Sequence, residues 1–351
     1  MTHTAPDFGC DTRWRALFLC AVLVSTPVWA QERARDDSPQ HWLERMNRAF
    51  VAENYDGVFT FLRGAHMSSL RVQHAVIDGV QHERLIHLDG TAREIIRVGG
   101  VLTCVLVPGD ELAGLTDSIP AGPLAATFAR DFGSASSHYR LRLGGVSRIA
   151  ARNARQLSIQ PVDGDRFGYE LWLDEATGLL LKSQLHGAGG APLEVFQFGQ
   201  LQLDAPLQGR DFVAPAHARQ IVINEQSQPK PDVAPRNADG AATRLRPPWS
   251  VGWLPAGFAM AASDVRRSAH RAEALKTLMY GDGLAAFSVF IEPLSKTAPR
   301  SADARVMHEG ATVAMSLDVT DRSGRAFLVT VVGEVPDATA AKVLHSVRDQ
   351  P

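Results

Sequence analysis

Apolar and polar residues alternate along much of the chain in short runs, and a period of two predicts strands that bury one face. Turn-forming pairs such as Asp89-Gly90, Gly99-Gly100 and Asp163-Gly164 separate these runs, as expected for antiparallel strands joined by hairpins. The strands predicted before residue 204 are Val58–Leu62, Ser69–His74, Glu83–Leu88, Arg93–Val98, Val101–Val107, Tyr139–Leu143, Arg155–Gln160, Phe167–Leu173, Leu179–Leu185 and Leu193–Leu203.

Two segments of this region have helical spacing instead. Apolar residues recur every three or four positions in Gln40–Glu53, which predicts an amphipathic helix. Pro123 opens a short second helix that extends to Asp131. Many antiparallel strands with few helices indicate one large curved sheet or half-barrel, with the helices on its concave face. Inward aromatic and aliphatic side chains of such a sheet either fill the core or line a cavity for an apolar ligand, and the sequence leaves both open.

The strand pattern stops at Asn224–Pro248, a proline-rich segment with hardly any large apolar residue. It is predicted to be an extended linker, because it cannot bury enough surface to fold. Two tryptophans and a phenylalanine follow within ten residues, at Trp249, Trp253 and Phe258. This aromatic run predicts the start of a second folded module.

The second module has the pattern of a small α+β domain. Lys276–Tyr280 and Leu284–Ile291 predict one hairpin, and Val306–Val319 with Arg325–Gly333 predicts another. A final helix is predicted from Pro336-Asp337 through Val347. Strands followed by a helix on one face give the α+β class.

The N-terminus has the features of a secretory signal peptide. Arg13 and Arg15 form a basic region, Ala16–Val28 is apolar but too short to span a bilayer, and Val28-Trp29-Ala30 is a cleavage site. Cys20 lacks the small preceding residue expected of a lipidated cysteine. Cleavage after Ala30 predicts a secreted, soluble protein. The predicted division is a signal peptide at 1–30, a large domain at 31–223, a linker at 224–248 and a small domain at 249–351.

Cysteine content limits the redox chemistry of the mature chain. Removal of the signal peptide takes Cys10 and Cys20 with it and leaves Cys104 alone, so no intramolecular disulfide is expected. Cys104 lies in an apolar strand pattern, which favours a buried, inert thiol.

The charge pattern gives only a local signal. A net charge of -2 over 351 residues predicts no nucleic-acid partner. Basic residues cluster between Arg244 and Lys276, around the linker exit. The cluster is either a solvated face or a site for an acidic partner or a phosphate-bearing ligand.

No catalytic motif is recognisable. The serine-hydrolase elbow and both glycine-rich phosphate motifs are absent, and the histidines lack metal-ligand spacing. Asp163-Gly164-Asp165 resembles a fragment of a calcium loop, but the remaining ligands are missing and a hairpin turn explains it better. The chain is therefore predicted not to be an enzyme and to use no cofactor or metal.

Several short segments, taken in their order along both predicted modules, are characteristic of a known protein family. They are Trp42–Asn47, Asn54–Phe59, Leu70–His74, Leu88–Gly90, Arg93-Glu94, Leu171–Leu179, Trp253–Phe258, Tyr280–Leu284, Phe287–Val289 and Val332–Pro336. Together they are similar to the MucB/RseB family of periplasmic regulators of the envelope-stress sigma factor, sigma-E.

The resemblance implies a large domain with the half-barrel fold of lipoprotein carriers such as LolA. It also implies a small α+β domain that grips the periplasmic part of a membrane-anchored RseA/MucA-like anti-sigma factor and shields it from the site-1 protease. Release is implied on binding lipopolysaccharide or a lipid A-like ligand, or mislocalised outer-membrane protein segments. The sequence leaves a homo-oligomer open.

Candidate binding residues follow from these expectations. The residues expected to contact the anti-sigma factor are Trp249, Trp253, Arg266, Arg267, Tyr280 and Phe287. Those expected to contact lipid are Phe59, Phe61, Phe128, Trp172 and Phe198, with ordinary core packing as the alternative for each. Trp249, beside Pro247-Pro248, is expected to be exposed, whereas Trp253 and Phe258 are expected to anchor the small domain. Alternative functions are a periplasmic carrier of lipoproteins or acyl chains, and an enzyme whose residues are dispersed in sequence.

Overall fold

A computed structural model describes residues 38–106, 137–187, 189–215, 219–224, 249–267, 274–295, 300–301 and 303–349. The predicted signal peptide, the helix predicted at Pro123–Asp131 and residues 225–248 of the predicted linker lie outside these ranges. The predicted domain boundaries therefore remain predictions. Below, "large domain" means the described residues 38–224 and "small domain" means the described residues 249–349.

The large domain is built on one antiparallel sheet of eleven strands. They are β1 Tyr55–Arg63, β2 His66–Ile77, β3 Val80–His87, β4 Arg93–Val98, β5 Val101–Leu106, β6 Tyr139–Ile149, β7 Arg152–Pro161, β8 Gly168–Asp174, β9 Leu180–His186, β10 Pro192–Leu203 and β11 Arg219–Asn224. Their order in the sheet is β11-β5-β4-β3-β2-β1-β10-β9-β8-β7-β6. Because β10 returns to pair with β1, two successive meanders form a single sheet.

Helix α1, Pro39–Ala52, packs on one face of this sheet. Ser38 caps it by accepting a hydrogen bond from the amide of His41 at 3.2 Å. Its apolar stripe is fully buried against inward residues of the strands. Phe59, Phe196 and Phe198 pack together in that core, with ring centroids 4.9 to 5.9 Å apart.

The small domain combines a six-stranded antiparallel sheet, a two-stranded ladder and helix α2. Its elements are β12 Trp249–Val251, β13 Ala259–Arg267, β14 Ala274–Gly281, β15 Ala286–Pro293, β16 Arg305–Glu309, β17 Thr312–Thr320, β18 Ala326–Gly333, α2 Asp337–Ser346 and β19 Val347–Asp349. The sheet order is β13-β14-β15-β18-β17-β16, and β12 pairs with β19. Helix α2 packs on β17 and β18.

The predicted fold class, α+β with a large open antiparallel sheet and a small α+β domain, is confirmed. Three local predictions were wrong. Val306–Val319 is two strands rather than one, because Gly310 adopts a φ of 60° and reverses the chain. Val347 begins β19 instead of ending the helix, and Asn224 ends β11, a strand that the sequence reading missed.

Candidate functional site

The small domain is seated on one end of the large sheet. In the antiparallel ladder the end of β1, the start of β10, the end of β9, the start of β8, the end of β7 and the start of β6 all lie at the same end of the sheet. Residues at this end make the hydrogen bonds and ion pairs that join the two domains. We call this contact the interdomain boundary.

A buried ion pair lies at the centre of one contact. Arg166, in the loop between β7 and β8, donates from Nη1 to Oδ2 of Asp282 at 2.5 Å, and both side chains are 0% exposed. Its Nε donates to Oδ1 of Asp163 at 3.1 Å, and its Nη2 donates to the carbonyl of Ala256 at 2.6 Å. Every guanidinium nitrogen is thus satisfied, two of them by the small domain. Removing one partner of such a pair leaves the other charge buried and unpaired, which lowers stability by about 3–5 kcal/mol.

Asp282 is held in place by its own turn. Its Oδ1 accepts from the amides of Leu284 and Ala285 at 2.9 and 2.7 Å, which leaves Oδ2 for the large domain. The hydroxyl of Tyr139 also donates to Oδ2 at 3.1 Å. Burial, and then the nearby negative charge of Asp282, raise the pKa of Tyr139 far above its usual range, so the phenol stays a donor.

The loop that carries Arg166 also contacts helix α2. The hydroxyl of Thr339 donates to the carbonyl of Asp165 at 3.0 Å, and Nζ of Lys342 lies 3.0 Å from its Oδ1. Lys342 also lies 5.0 Å from the ring of Trp253. The Asp163-Gly164-Asp165 segment is therefore an interdomain turn, and the weaker calcium-loop interpretation finds no support in these contacts.

The interdomain boundary also contains an apolar contact and a close approach of the backbone to a side chain. Leu284 of the small domain is 3% exposed and belongs to the hydrophobic core of the large domain. Gly257, with a φ of +83°, lies against the ring of His138, so closely that a Cβ at this position would overlap the imidazole. The turn therefore requires glycine for its backbone conformation and for its neighbour.

A second contact lies further along the same end of the sheet. Oε1 of Glu194, in β10, accepts from the amide of Ala311 at 3.2 Å and lies 3.2 Å from Nε of Arg63. Gly310 packs against both of these side chains. The β16–β17 turn thus rests on β1 and β10.

A cleft of about 340 Å³ borders the boundary between these two contacts. It is lined by the end of β7, the start of β8 and the end of β9, and by Pro336 of the small domain. Asp163, Glu170 and His186 give it polar walls. The cleft therefore offers hydrogen-bonding groups from the large domain beside a wall from the small one.

The predicted anti-sigma residues do not form one exposed face. The expectation that Trp249 is exposed is wrong: it is 5% exposed and its ring packs against Phe327 at 5.0 Å. Tyr280 and Phe287 are also buried, stacked on each other at 5.3 Å. The cause is the strand register, which points alternate residues of β14 and β15 into the small-domain core.

Trp253, Arg266 and Arg267 remain as candidates for contact. Trp253 is partly buried against the small-domain core, as expected, and Phe258 is buried in it. Lys342 places Trp253 next to the interdomain boundary. Arg266 and Arg267 are the last two residues of β13, at the end of the strand away from Gly257, and their side chains lie outside the described part of the chain.

The predicted lipid residues divide between two faces of the large sheet. Phe59 and Phe198 are buried in the core beneath α1, and Phe61 packs against that core. Trp172 alternates with the buried Leu171 and Leu173, so it lies on the opposite face, where Nζ of Lys182 is 4.7 Å from its ring. Trp172 therefore does not line the concave face, and Phe128 lies outside the described residues.

The described residues contain no cluster of histidine, cysteine or acidic side chains suited to a metal ion. Within the same residues, no helix is long and apolar enough to cross a membrane. Cys104 is buried, as expected, and burial raises the pKa of its thiol.

The sequence reading missed the residues of the boundary. Arg166 and Asp282 lie 116 positions apart, so no local spacing could pair them. The sequence nevertheless marks this region. Two of the characteristic segments are Trp253–Phe258 and Tyr280–Leu284, and a turn is predicted at Asp163-Gly164-Asp165. All three meet at the boundary.

The fold and this boundary define a class of protein: an α+β protein in which an open antiparallel sheet carries a small sheet-and-helix domain at one strand end. Family models identify both parts. The MucB/RseB N-terminal domain matches residues 38–216 and the MucB/RseB C-terminal domain matches residues 243–348. The chain belongs to the MucB/RseB family.

Individual relatives agree with this assignment. The sigma factor AlgU regulatory protein MucB of Pseudomonas aeruginosa is 38% identical over 336 residues, which cover 95% of this chain and 96% of the relative. A crystal structure of MucB in complex with MucA(peri) matches with a TM-score of 0.70 and 34% identity, covering 90% of this chain and 100% of that one. A crystal structure of MucB matches with a TM-score of 0.58 and 35% identity, covering 89% and 98%.

Proposed function

We propose that this protein binds the periplasmic segment of a membrane-anchored anti-sigma factor and thereby regulates a sigma factor. The observation that carries the proposal is the likeness, over both domains, to MucB crystallised with MucA(peri), at 34% identity and a TM-score of 0.70. The family relatives are named regulatory proteins. The described residues supply polar groups at the interdomain boundary, where an extended segment can contact both domains at once.

The partner segment binds at the cleft beside the boundary. Trp253 supports this location because it is partly exposed and is linked through Lys342 to Asp165 of the large domain. Arg266 and Arg267 lie at the end of β13 away from the boundary, so an acidic segment would meet their charge only beyond the cleft. The aromatic residues Trp249, Tyr280 and Phe287 support the site from within, as part of the core against which Trp253 packs.

Calorimetric titration tests the proposal. The chain from Gln31 is titrated with the periplasmic segment of the anti-sigma factor encoded in the same genome, and submicromolar binding is expected. Trp253→Ala should weaken binding at least tenfold. Trp172→Ala is the matched control, because it removes a partly exposed tryptophan from the outer face of the large sheet and should leave affinity unchanged. Absence of binding, together with acyl lipid in the purified protein, would instead favour a lipid carrier.

We further propose that the bound protein protects the anti-sigma segment from the site-1 protease, and that a lipopolysaccharide-type lipid releases it. Lipid and partner must weaken each other's binding by the same factor if they prefer different arrangements of the domains. Repeating the titration at saturating lipopolysaccharide tests this step. Unchanged affinity would remove the lipid signal from the proposal while leaving partner binding intact.

The proposed site of action is the periplasm. The basic, apolar and small-residue sequence of residues 1–30 supports secretion with cleavage after Ala30. Mass spectrometry of the protein purified from the periplasm should give a chain that begins at Gln31. A protein that keeps residues 1–30 would contradict this.

A further inference from the structure

The interdomain boundary contains a buried ion pair that joins the two domains and does not lie within either one. Arg166 and Asp282 are both 0% exposed and come from different domains. A second buried ion pair among the described residues, Arg97–Glu83, lies within the large sheet on adjacent strands. The two pairs are similar in chemistry and differ in what they join.

The pair responds to domain separation in a particular way. While the domains are in contact, each charge is buried and is held by the other and by fixed neighbours. If the domains separate, water solvates both charges. The loss of one partner therefore penalises only the arrangement in which the domains are in contact, because the remaining charge is buried unpaired there and hydrated elsewhere.

Two solved structures of MucB differ in how closely this chain superposes on them. The chain superposes on MucB in the complex with MucA(peri) at a TM-score of 0.70 and on the separate MucB structure at 0.58. Identity and coverage are nearly equal in the two cases, at 34% and 90% against 35% and 89% of this chain. The two MucB structures thus differ in geometry, and the overall geometry of this chain is nearer to that of MucB in the complex.

We propose that Arg166 and Asp282 are positioning residues that hold the two domains in the arrangement that binds the anti-sigma segment. Two features of the boundary support this. Asp282 is fixed by two amides of its own turn, and Arg166 by Asp163 of its own loop, so each charge is already oriented before the domains meet. The adjoining cleft is lined by the same loop and by Pro336 of the small domain, so its walls come from the two domains that the pair joins. This inference rests on the proposed function.

The test measures domain arrangement and affinity in the same variants. Spin labels are placed at the exposed Val146 of the large domain and the exposed Arg322 of the small domain, in a chain from Gln31 with Cys104→Ala. Pulsed electron resonance then gives the distance distribution between the domains. Calorimetric titration with the anti-sigma segment gives the affinity.

Arg166→Met should broaden or shift the interdomain distance and weaken binding at least tenfold, because the apparent affinity falls with the fraction of chains in the competent arrangement. Arg97→Met is the matched control. It breaks a buried pair inside one domain and should lower stability without changing the interdomain distance, and the affinity should stay within twofold. The double variant Arg166→Met with Asp282→Asn should recover part of the loss, since no unpaired charge is then buried.

Tyr139→Phe provides a milder change that keeps the ring and removes one hydrogen bond to Asp282. It should move distance and affinity in the same direction as Arg166→Met, but less. The proposal is overturned if Arg166→Met and Tyr139→Phe behave like Arg97→Met. If the parent protein does not bind the segment at all, the proposed function fails, and the distance measurement still decides whether the pair holds the domains together.

Discussion

Asp282 and Leu284 lie two residues apart in the turn between β14 and β15, and each enters a different environment at the interdomain boundary. The carboxylate of Asp282 pairs with Arg166, while Leu284 is buried in the hydrophobic core of the large domain. One turn of the small domain thus supplies both the ionic and the apolar part of the contact. Substitutions in it should affect how the two domains unfold together.

Leu284→Ala should cost about 2–4 kcal/mol of stability, because a cavity forms where a buried leucine is removed. The cost falls on the boundary, so scanning calorimetry should show one thermal transition dividing into two. Leu278→Ala is the control, since Leu278 is fully buried within the small domain alone. It should lower the transition of the small domain only. Equal behaviour of the two variants would contradict a role of Leu284 in joining the domains.

Gly257→Ala should destabilise the boundary more than the backbone conformation alone requires. A positive φ costs a non-glycine residue on the order of 1 kcal/mol. At Gly257 the added methyl group would also overlap the ring of His138. Gly324→Ala isolates the first effect, because Gly324 has a φ of +81° and open space around it. Chemical unfolding should therefore show a larger loss for Gly257→Ala, and small-angle scattering should show an expanded particle only for that variant.

The contribution of Lys276 to stability increases with pH in mildly alkaline solution. Burial lowers the pKa of Lys276 from 10.5 to about 8, and the charge of Asp349 opposes this only in part. Below pH 8 the folded protein bears the full cost of a buried ammonium group. Between pH 8 and 10.5 the unfolded chain binds the proton that the folded protein has lost, so this contribution to stability increases with pH.

Lys276→Met should therefore stabilise the protein at pH 7, on the order of 1–3 kcal/mol, and the gain should shrink as the pH rises through this window. Urea unfolding at pH 7, 8.5 and 10 measures it. Lys182→Met, on the outer face of the large sheet, should give no such gain. A gain for Lys276→Met that stays constant with pH would rule out the ammonium charge as its origin.

His74 gives a dependence of the same sign in acid solution, because stability again rises with pH. Burial lowers its pKa below the ordinary value of 6.5, His82 lowers it further, and the contact of Nδ1 with the carbonyl of Glu53 at 2.8 Å opposes both only in part. As the pH falls below 6.5, the unfolded chain takes up a proton that the folded protein does not, so stability is lost.

His74→Gln should reduce the loss of stability between pH 6.5 and 5, although it removes the stacking on Tyr55 and so lowers stability at pH 7.5 by about 1 kcal/mol. His66→Gln, at an exposed position, is the control and should change neither value. Urea unfolding across this range measures both. If His74→Gln loses as much stability between pH 6.5 and 5 as the parent protein, the loss arises from other groups.

Much of the fold could be predicted because its determinants are local. Alternation in β1 to β10 and the helical stripe of α1 reflect single elements that bury one face, and Gly99-Gly100 joins β4 to β5 as expected. The division of Val306–Val319 was missed because β16 is short and exposed along its whole length, so it shows no alternation, and the positive φ of Gly310 ends it. β11 was missed because its partner β5 lies far away in sequence, and its pairing is decided by the sheet.

The sequence by itself determined the family, the fold class, the two-module organisation and the buried state of Cys104, since each follows from local composition, from periodicity or from characteristic runs. Only the tertiary structure decided which aromatic residues face inward. Strand register buries Tyr280 and Phe287 and moves Trp172 to the outer face. The tertiary structure alone also brought Arg166 to Asp282. A charge is buried by the residues that pack around it in space, and these need not be its neighbours in sequence.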